Sequence, residues 1–303
     1  MTTQWPPIAP MPPDGPRATG RVSLRFEDVT QDGRLVLEAL PAALGPVVWR
    51  GLLEKTGGLR ACYENGIFPI LSGLFLEGTA GPFSANGRLE GEGSYRLART
   101  RDGRFTLEVW ADLYAPIGRT HQPPSPDAAR ALAGRVLAEH IFTRPFAPAG
   151  ERRVTSLDFE GAPVVTEERA APPPFEAVAA LPQGATPLEA APRADPLPIV
   201  FGVFHTDGNM HVNSLAYLRV LEEAALRRFV ELGRGSLVLG RRVDIAYRKP
   251  CFAGQTMRVV QQAFEADGKL GMSAVLFDAS AIVDGAARAD ARPHIFARTM
   301  FEP

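Results

Sequence analysis

Three polar side chains alternate along one short stretch, residues 204–214: Asp207, Asn209 and His211. A carboxylate and an imidazole can each take a proton from water, and an amide can orient that water or donate to a developing oxyanion. In an extended segment, alternation would send all three side chains to one side. A helix beginning at Asn213 or Ser214 would add unpaired backbone N–H groups and the positive end of its dipole. The N–H groups of Val212, Asn213 and Ser214 are then the candidate oxyanion donors. Such a constellation can activate water and stabilise a tetrahedral intermediate. The same residues also suit an Asx turn followed by a helix cap, which is common loop chemistry.

The flanking pattern supplies elements that would position this stretch. Residues 199–204 read as a strand. From Leu215, apolar residues recur at helical spacing through Leu218, Leu221, Ala225, Phe229 and Leu232, and Gly233 ends the run. Val243, Ile245 and Tyr247 alternate with polar or small residues as in a strand. Residues 256–264 and 270–277 form an expected hairpin across Ala266-Asp267-Gly268-Lys269, and 294–301 is an expected last strand.

An earlier block, 21–165, shows a similar order. Strands are expected at 22–26 and 35–40, followed by a mostly apolar helix over 41–56 that Gly57 and Gly58 stop. Further strands are expected at 88–98, 105–113 and 153–159, with Arg101-Asp102-Gly103 as a turn. Ser125-Pro126-Asp127 reads as a helix start, giving a helix to about residue 141. The entrance to the helix at 41–56 reads Leu40-Pro41-Ala42-Ala43-Leu44-Gly45-Pro46, with no acid, amide or imidazole. This block is therefore expected to be catalytically silent. Residues 1–20 are proline-rich and read as an extended arm. Residues 166–198, dominated by Ala and Pro, read as a linker between 21–165 and 199–303.

Each block thus reads as strands, one long apolar helix, and an antiparallel run of strands. A lone apolar helix needs a sheet curled around it to bury its surface, and the short turns between strands indicate α+β rather than βαβ.

Other reactive or charged side chains have weaker claims. Cys251 is a candidate nucleophile paired with His211, or a small buried residue at a strand end. Arg241, Arg242, Arg248 and Lys249 form a locally basic run that can meet the phosphates of a substrate or be a solvated face. His205 is expected in a structural role, and His121, His140 and His294 in surface or packing roles.

Composition excludes several classes. With 33 Lys and Arg against 34 Asp and Glu, the net charge is −1, which favours neither nucleic acid nor an anionic membrane. Two cysteines, Cys62 and Cys251, make neither a disulfide framework nor a metal-ligand spacing, and a reducing cytoplasm is the simplest expected compartment. The first residues lack the basic start and apolar core of a signal peptide, and no apolar run is long enough to span a bilayer. No glycine-rich phosphate loop is present, so no cofactor is expected.

The run Asp207-x-Asn209-x-His211-Val212-Asn213, with Tyr217 and Glu222 after it, resembles the motif of hotdog-fold acyl-ACP and acyl-CoA thioesterases, above all the plant acyl-ACP thioesterases. Tyr247-Arg248-Lys249-Pro250-Cys251 resembles that family's second segment, with Gly254 beyond it. Pro250 departs from the family by standing where an acidic residue is usual, and Ser214 replaces a second Asn. The resemblance covers 199–303 well, and 21–165 only through element order. It implies a tandem (double) hotdog, each antiparallel sheet wrapped around a long central helix. The implied activity is hydrolysis of an acyl-CoA or acyl-carrier-protein thioester, with Asp207 as base or nucleophile and Asn209 and His211 orienting water or supporting the oxyanion. Two alternatives remain open at this level: a hotdog hydratase or dehydratase, whose His follows its Asp by five residues rather than the four seen here, and a non-catalytic acyl-thioester binding module. Expected partners are the acyl-CoA or acyl-ACP substrate, with no nucleic acid and no membrane, and a homodimer left open.

Overall fold

Strands of eight to fourteen residues build an antiparallel sheet in each of two units. The computed structural model describes residues 5–303. One unit is Ile8–Pro172; the other is Pro173–Pro303 together with residues 5–7.

The N-terminal unit contains β1 (Ala18–Ser23), the helix α1 (Gly58–Glu64), β2 (Phe68–Gly78), β3 (Arg88–Thr100), β4 (Phe105–Pro116), β5 (Arg130–Thr143) and β6 (Glu167–Arg169). Its sheet order is β1-β3-β4-β5-β2, all antiparallel, with β6 added parallel to the end of β3. The turn at Arg101-Asp102-Gly103 joins β3 to β4, and Gly103 takes a φ of 85°.

Two expected helices of this unit are absent. The stretch 127–141 is mostly the strand β5, hydrogen-bonded to β4 on one side and β2 on the other. Its Ala, Leu and Glu favour helix locally. Pairing on both edges, with Ala133, Val136, Leu137, Ala138 and Phe142 buried, overrides that preference. Ser125 begins a turn instead, its carbonyl accepting from Ala128 N–H at 3.0 Å. The stretch 41–56 is broken into a 3-10 turn (Pro41–Ala43), a π turn (Gly45–Trp49) and a second 3-10 turn (Leu53–Lys55). Pro46 cannot donate a helical hydrogen bond, and Gly45 weakens the run beside it. The π turn presses Val47 and Val48 onto β3, where a Cβ on Gly93 would lie 2.6 Å from both valine side chains. Among the described residues this unit has no long central helix; α1 begins where the expected helix was to stop. Residues 35–40 carry a 3-10 turn (Leu37–Ala39), 153–159 contributes a single bridge to Thr143, and β2 was not anticipated.

The C-terminal unit contains α2 (Phe175–Val178), three short strands β7 (Thr186–Pro187), β8 (Arg193–Ala194) and β9 (Ile199–Val200), then α3 (Ser214–Glu231). β10 (Leu239–Tyr247), β11 (Thr256–Ala266), β12 (Lys269–Asp278), the small pair β13 (Ile282–Val283) and β14 (Ala286–Ala287), and β15 (Ile295–Glu302) follow. The sheet order is β10-β15-β12-β11, all antiparallel, and β7, β8 and β9 each pair with the outer edge of β11. The stretch expected as a linker therefore covers a sheet edge, which would otherwise present unpaired backbone groups. The β11–β12 hairpin turns on Asp267 and Gly268, both at positive φ.

The helix α3 follows its predicted pattern. Ala225 and Phe229 pack on Ala263, Met272 and Phe301, with the Phe229 and Phe301 rings edge to face at 5.1 Å. Alternation along the strands sends Ala246, Val275 and Phe296 to the opposite face, where α2 places Phe175 and Val178. Trp5, in the expected extended arm, lies over the same face: its ring covers the Arg298 guanidinium at 4.3 Å and its Nε1–H donates to Asp244 at 2.8 Å. Among the described residues, no helix is long and apolar enough to cross a membrane.

His140 in β5 is buried against the edge of Trp49, with Nδ1 3.2 Å from the Leu107 carbonyl. Burial pushes its pKa down to about 4. The unfolded chain, with a pKa near 6.5, therefore binds the proton first as pH falls, so the stabilising contribution is complete above about 6.5 and is lost towards 4. By pH 5 the loss is about 2 kcal/mol. His140→Gln should show a smaller fall in melting temperature between pH 7 and pH 5 than the unmodified chain; parallel curves would contradict this.

Candidate active site

The polar stretch sits between the 3-10 turn Val203–His205 and the first residue of α3, and it is a tight turn rather than an extended segment. Thr206 and Val212 bridge as antiparallel partners, Asp207 N–H donates to the His211 carbonyl at 3.2 Å, and Met210 N–H donates to the Asp207 carbonyl at 2.9 Å. Met210 closes the turn at a φ of 63°, a conformation rare outside glycine, asparagine and aspartate. Alternation along a strand consequently does not place the three side chains. Asp207 and His211 come opposite each other across the turn, while Asn209 lies at its exposed tip.

Asp207 is fixed by two donors. One carboxylate oxygen accepts Asn209 N–H at 2.9 Å and the other accepts the Asn213 side-chain amide at 3.2 Å. Asn213 also caps α3, its Oδ1 accepting Leu215 N–H at 2.8 Å. The Asx turn, the cap and the candidate carboxylate are therefore one hydrogen-bonded unit. The His211 Nδ1 lies 3.2 Å from the Val212 carbonyl. A carbonyl only accepts, so Nδ1 is the donor here, and in the neutral ring Nε2 is the acceptor.

The expected oxyanion donors are mostly committed elsewhere. Val212 N–H donates to the Cys251 carbonyl at 2.8 Å, and Asn213 N–H to the His205 carbonyl at 2.9 Å. Among the described residues, the Ser214 N–H is the one of the three left without a partner, at the N-terminus of the 18-residue helix α3. The capping geometry explains this: Asn213 accepts Leu215 N–H with its side chain and Ala216 N–H with its carbonyl, and spends its own N–H on the loop behind.

Cys251 is buried beside the turn but is not paired with His211. Its Sγ lies 3.2 Å from His294 Nδ1, and burial pushes the thiol up to about 11. That is the opposite of an activated nucleophile, whose thiolate is stabilised near neutrality. Tyr217 and Tyr247, both part of the quoted motif segments, are brought together with it. Tyr217 Oη accepts Cys251 N–H at 3.0 Å, and Tyr247 donates to the Ser214 carbonyl at 3.4 Å. Desolvation raises the pKa of both phenols, so they remain neutral hydrogen-bonding groups. The role of His294 had no signal in the sequence, because its partners are adjacent only in the folded chain.

The basic run separates into two pairs. Arg241 is buried, with Nε 3.9 Å from Glu302, and Arg242 lies over the Trp5 ring and donates to the Pro6 carbonyl. These two are therefore bound within the C-terminal unit rather than free for phosphate. Arg248 and Lys249 are exposed just before Cys251. His205 is structural as expected: its Nδ1 accepts Gly202 N–H at 2.9 Å and its ring packs on Phe204. Glu222 is half-buried on α3. Among the described residues, no group of three or more His, Cys, Asp and Glu could hold a metal ion.

No protein family model matches this chain, and no curated protein matches its sequence. Solved structures do match it. A proposed oleoyl thioesterase from Lactobacillus plantarum aligns with a TM-score of 0.59 at 14% identity, over 95% of this chain and 96% of that one. An acyl-ACP thioesterase from Bacteroides thetaiotaomicron aligns at 0.55 and 14%, over 94% and 98%. The 12:0-ACP thioesterase from Umbellularia californica aligns at 0.52 and 11%, over 95% and 97%. The chain has the hotdog fold of these thioesterases along nearly its whole length.

The environment of the two thiols gives a direct check. Cys62 and Cys251 are both buried, and burial pushes both to about 11. In native protein at pH 7.5 neither should react promptly with an aromatic disulfide reagent, and both should appear on denaturation. Fast labelling of Cys251 in the native state would contradict this assignment.

Proposed function

We propose that the chain is a double hotdog thioesterase that hydrolyses an acyl-CoA or acyl-carrier-protein thioester to the free acid and thiol. The observation that carries the reading is the Asp207 carboxylate pinned by two donors in the turn before α3, where the Asp207 backbone pairs with that of His211, in a chain with the fold of thioesterases. A carboxylate held by two donors keeps further lone pairs for a water molecule, so Asp207 is assigned as the general base. Asp207 takes a proton as the water oxygen bonds to the thioester carbonyl carbon. His211, through Nε2, orients that water, and Asn209 holds Asp207 through its backbone N–H. The Ser214 N–H at the helix N-terminus supports the oxyanion. Collapse of the tetrahedral intermediate breaks the C–S bond, and the proton held by Asp207 passes to the leaving thiolate.

The same reading assigns the remaining parts. The C-terminal unit, with α3 as its central helix, is the catalytic hotdog. The N-terminal unit, whose 41–56 stretch is a set of apolar turns, is a hotdog repeat without catalytic side chains. Arg248 and Lys249, exposed just before Cys251, are assigned to meet a phosphate of coenzyme A or of a carrier's pantetheine arm. The strained Met210 supports a functional turn, since positive φ at a non-glycine residue is retained where the surroundings impose it.

Thiol release from a panel of acyl-CoA and acyl-pantetheine thioesters tests the reading. Asp207→Asn keeps the shape of the side chain and one of its two accepting oxygens, sets an NH2 against the other donor and removes the base, so kcat should fall by about 100-fold or more. Undiminished turnover in that variant would remove Asp207 from the chemistry. Hydration of an enoyl thioester without thiol release would replace hydrolysis by the hydratase alternative.

A further inference from the structure

Three buried groups beside the turn have no part in the proton transfers above: Tyr217, Cys251 and His294. They nonetheless form one connected set. The Cys251 peptide is bracketed, its N–H held by Tyr217 Oη at 3.0 Å and its carbonyl holding Val212 N–H at 2.8 Å. The His294 Nδ1 lies 3.2 Å from the Pro250 carbonyl and 3.2 Å from Cys251 Sγ. Because the carbonyl can only accept, Nδ1 carries the proton and steadies the preceding peptide and the thiol together. Burial lowers the pKa of His294, which keeps the ring neutral in this role. The Tyr217 ring is itself wedged, edge-on to Phe201 at 5.6 Å and tilted against Tyr247 at 5.9 Å, so packing sets the location of its hydroxyl.

Tyr217 lies at the end of the first turn of α3, four residues after Asn213, the cap residue that holds Asp207. The helix therefore grips the polar turn twice: through Asn213 onto Asp207, and through Tyr217 and the Cys251 peptide onto Val212, next to His211. Loss of the second grip would leave two buried amide N–H groups to find new partners, and buried backbone donors are rarely left unpaired.

We propose that Tyr217 and His294 are positioning residues: by holding the Pro250–Cys251 segment they fix Val212, and with it the placement of His211 opposite Asp207. This rests on the thioesterase reading for its kinetic consequence, but not for its structural one.

The test joins kinetics to amide hydrogen exchange. Tyr217→Phe keeps the ring and deletes only the hydroxyl. It should lower kcat by about ten- to a hundredfold, the scale of a small misplacement of catalytic groups, with KM within about twofold. Exchange of the Val212 and Cys251 amides should become faster than in the unmodified chain, while amides in the middle of α3 keep their rates. His294→Asn, which retains a donor near the Nδ1 position, should keep more activity than His294→Leu. If the leucine variant does not fold, Tyr217→Phe decides alone. Unchanged kcat with unchanged exchange at Val212 would overturn the proposal. A loss of melting temperature with faster exchange spread evenly over α3 would overturn it too, by making Tyr217 a general stabiliser. Should the unmodified chain hydrolyse no thioester, faster exchange confined to Val212 and Cys251 would uphold the positioning role, and the failure would fall on the thioesterase reading.

Discussion

The hydrogen bond from Val212 N–H to the Cys251 carbonyl joins the two stretches on which the site depends. One is the polar turn ahead of α3; the other is the segment leaving β10. Neither has regular structure of its own to stiffen it. The bond sits beside the Thr206–Val212 bridge, so it also anchors the base of the turn that sets Asp207 opposite His211. Because Cys251 is gripped in turn by Tyr217, the geometry of the turn is referred back to α3, and α3 is fixed by the packing of Ala225 and Phe229 on its sheet. Exposed polar chemistry is thus held by buried apolar contact, which is how a loop site acquires fixed geometry.

Local chemistry does double duty at the helix start. Asn213 is both cap and carboxylate anchor, and the Asx turn of Asp207 presents the carboxylate while closing the loop. The turn-and-cap interpretation and the catalytic interpretation of the motif are therefore not rivals, since the same hydrogen bonds serve both. The cost falls on the oxyanion assignment. Satisfying the backbone of the turn uses the N–H groups of Val212 and Asn213, and leaves Ser214 to face a substrate.

Much of the C-terminal unit was legible because its signals are local. Leu218, Leu221, Ala225 and Phe229 mark one helix face, and Ala266-Asp267-Gly268-Lys269 marks a hairpin whose central residues take positive φ. The identity of the motif residues was legible too, but their arrangement was not, because alternation presumes an extended chain and Met210 bends it. The N-terminal unit was less legible for the converse reason. The Ala- and Leu-rich β5 favours helix by propensity, and only its two neighbouring strands make it a strand. Pro41 and Pro46 divide the stretch 41–56, whose apolar pattern suits a helix, into short turns. The Cys251–His294 contact was invisible because nothing in the spacing of two residues so far apart in the chain brings them together.

A crystal structure of the full chain with a non-hydrolysable acyl-pantetheine analogue, its thioester sulfur replaced by methylene, would test the central claim most directly. The account predicts the ketone carbonyl beside the Asp207–His211 turn, its oxygen directed to Ser214 N–H and its carbon about 3–3.5 Å from a water held by Asp207. An analogue bound only in the N-terminal unit, or against the C-terminal unit with its carbonyl remote from Asp207, would contradict it.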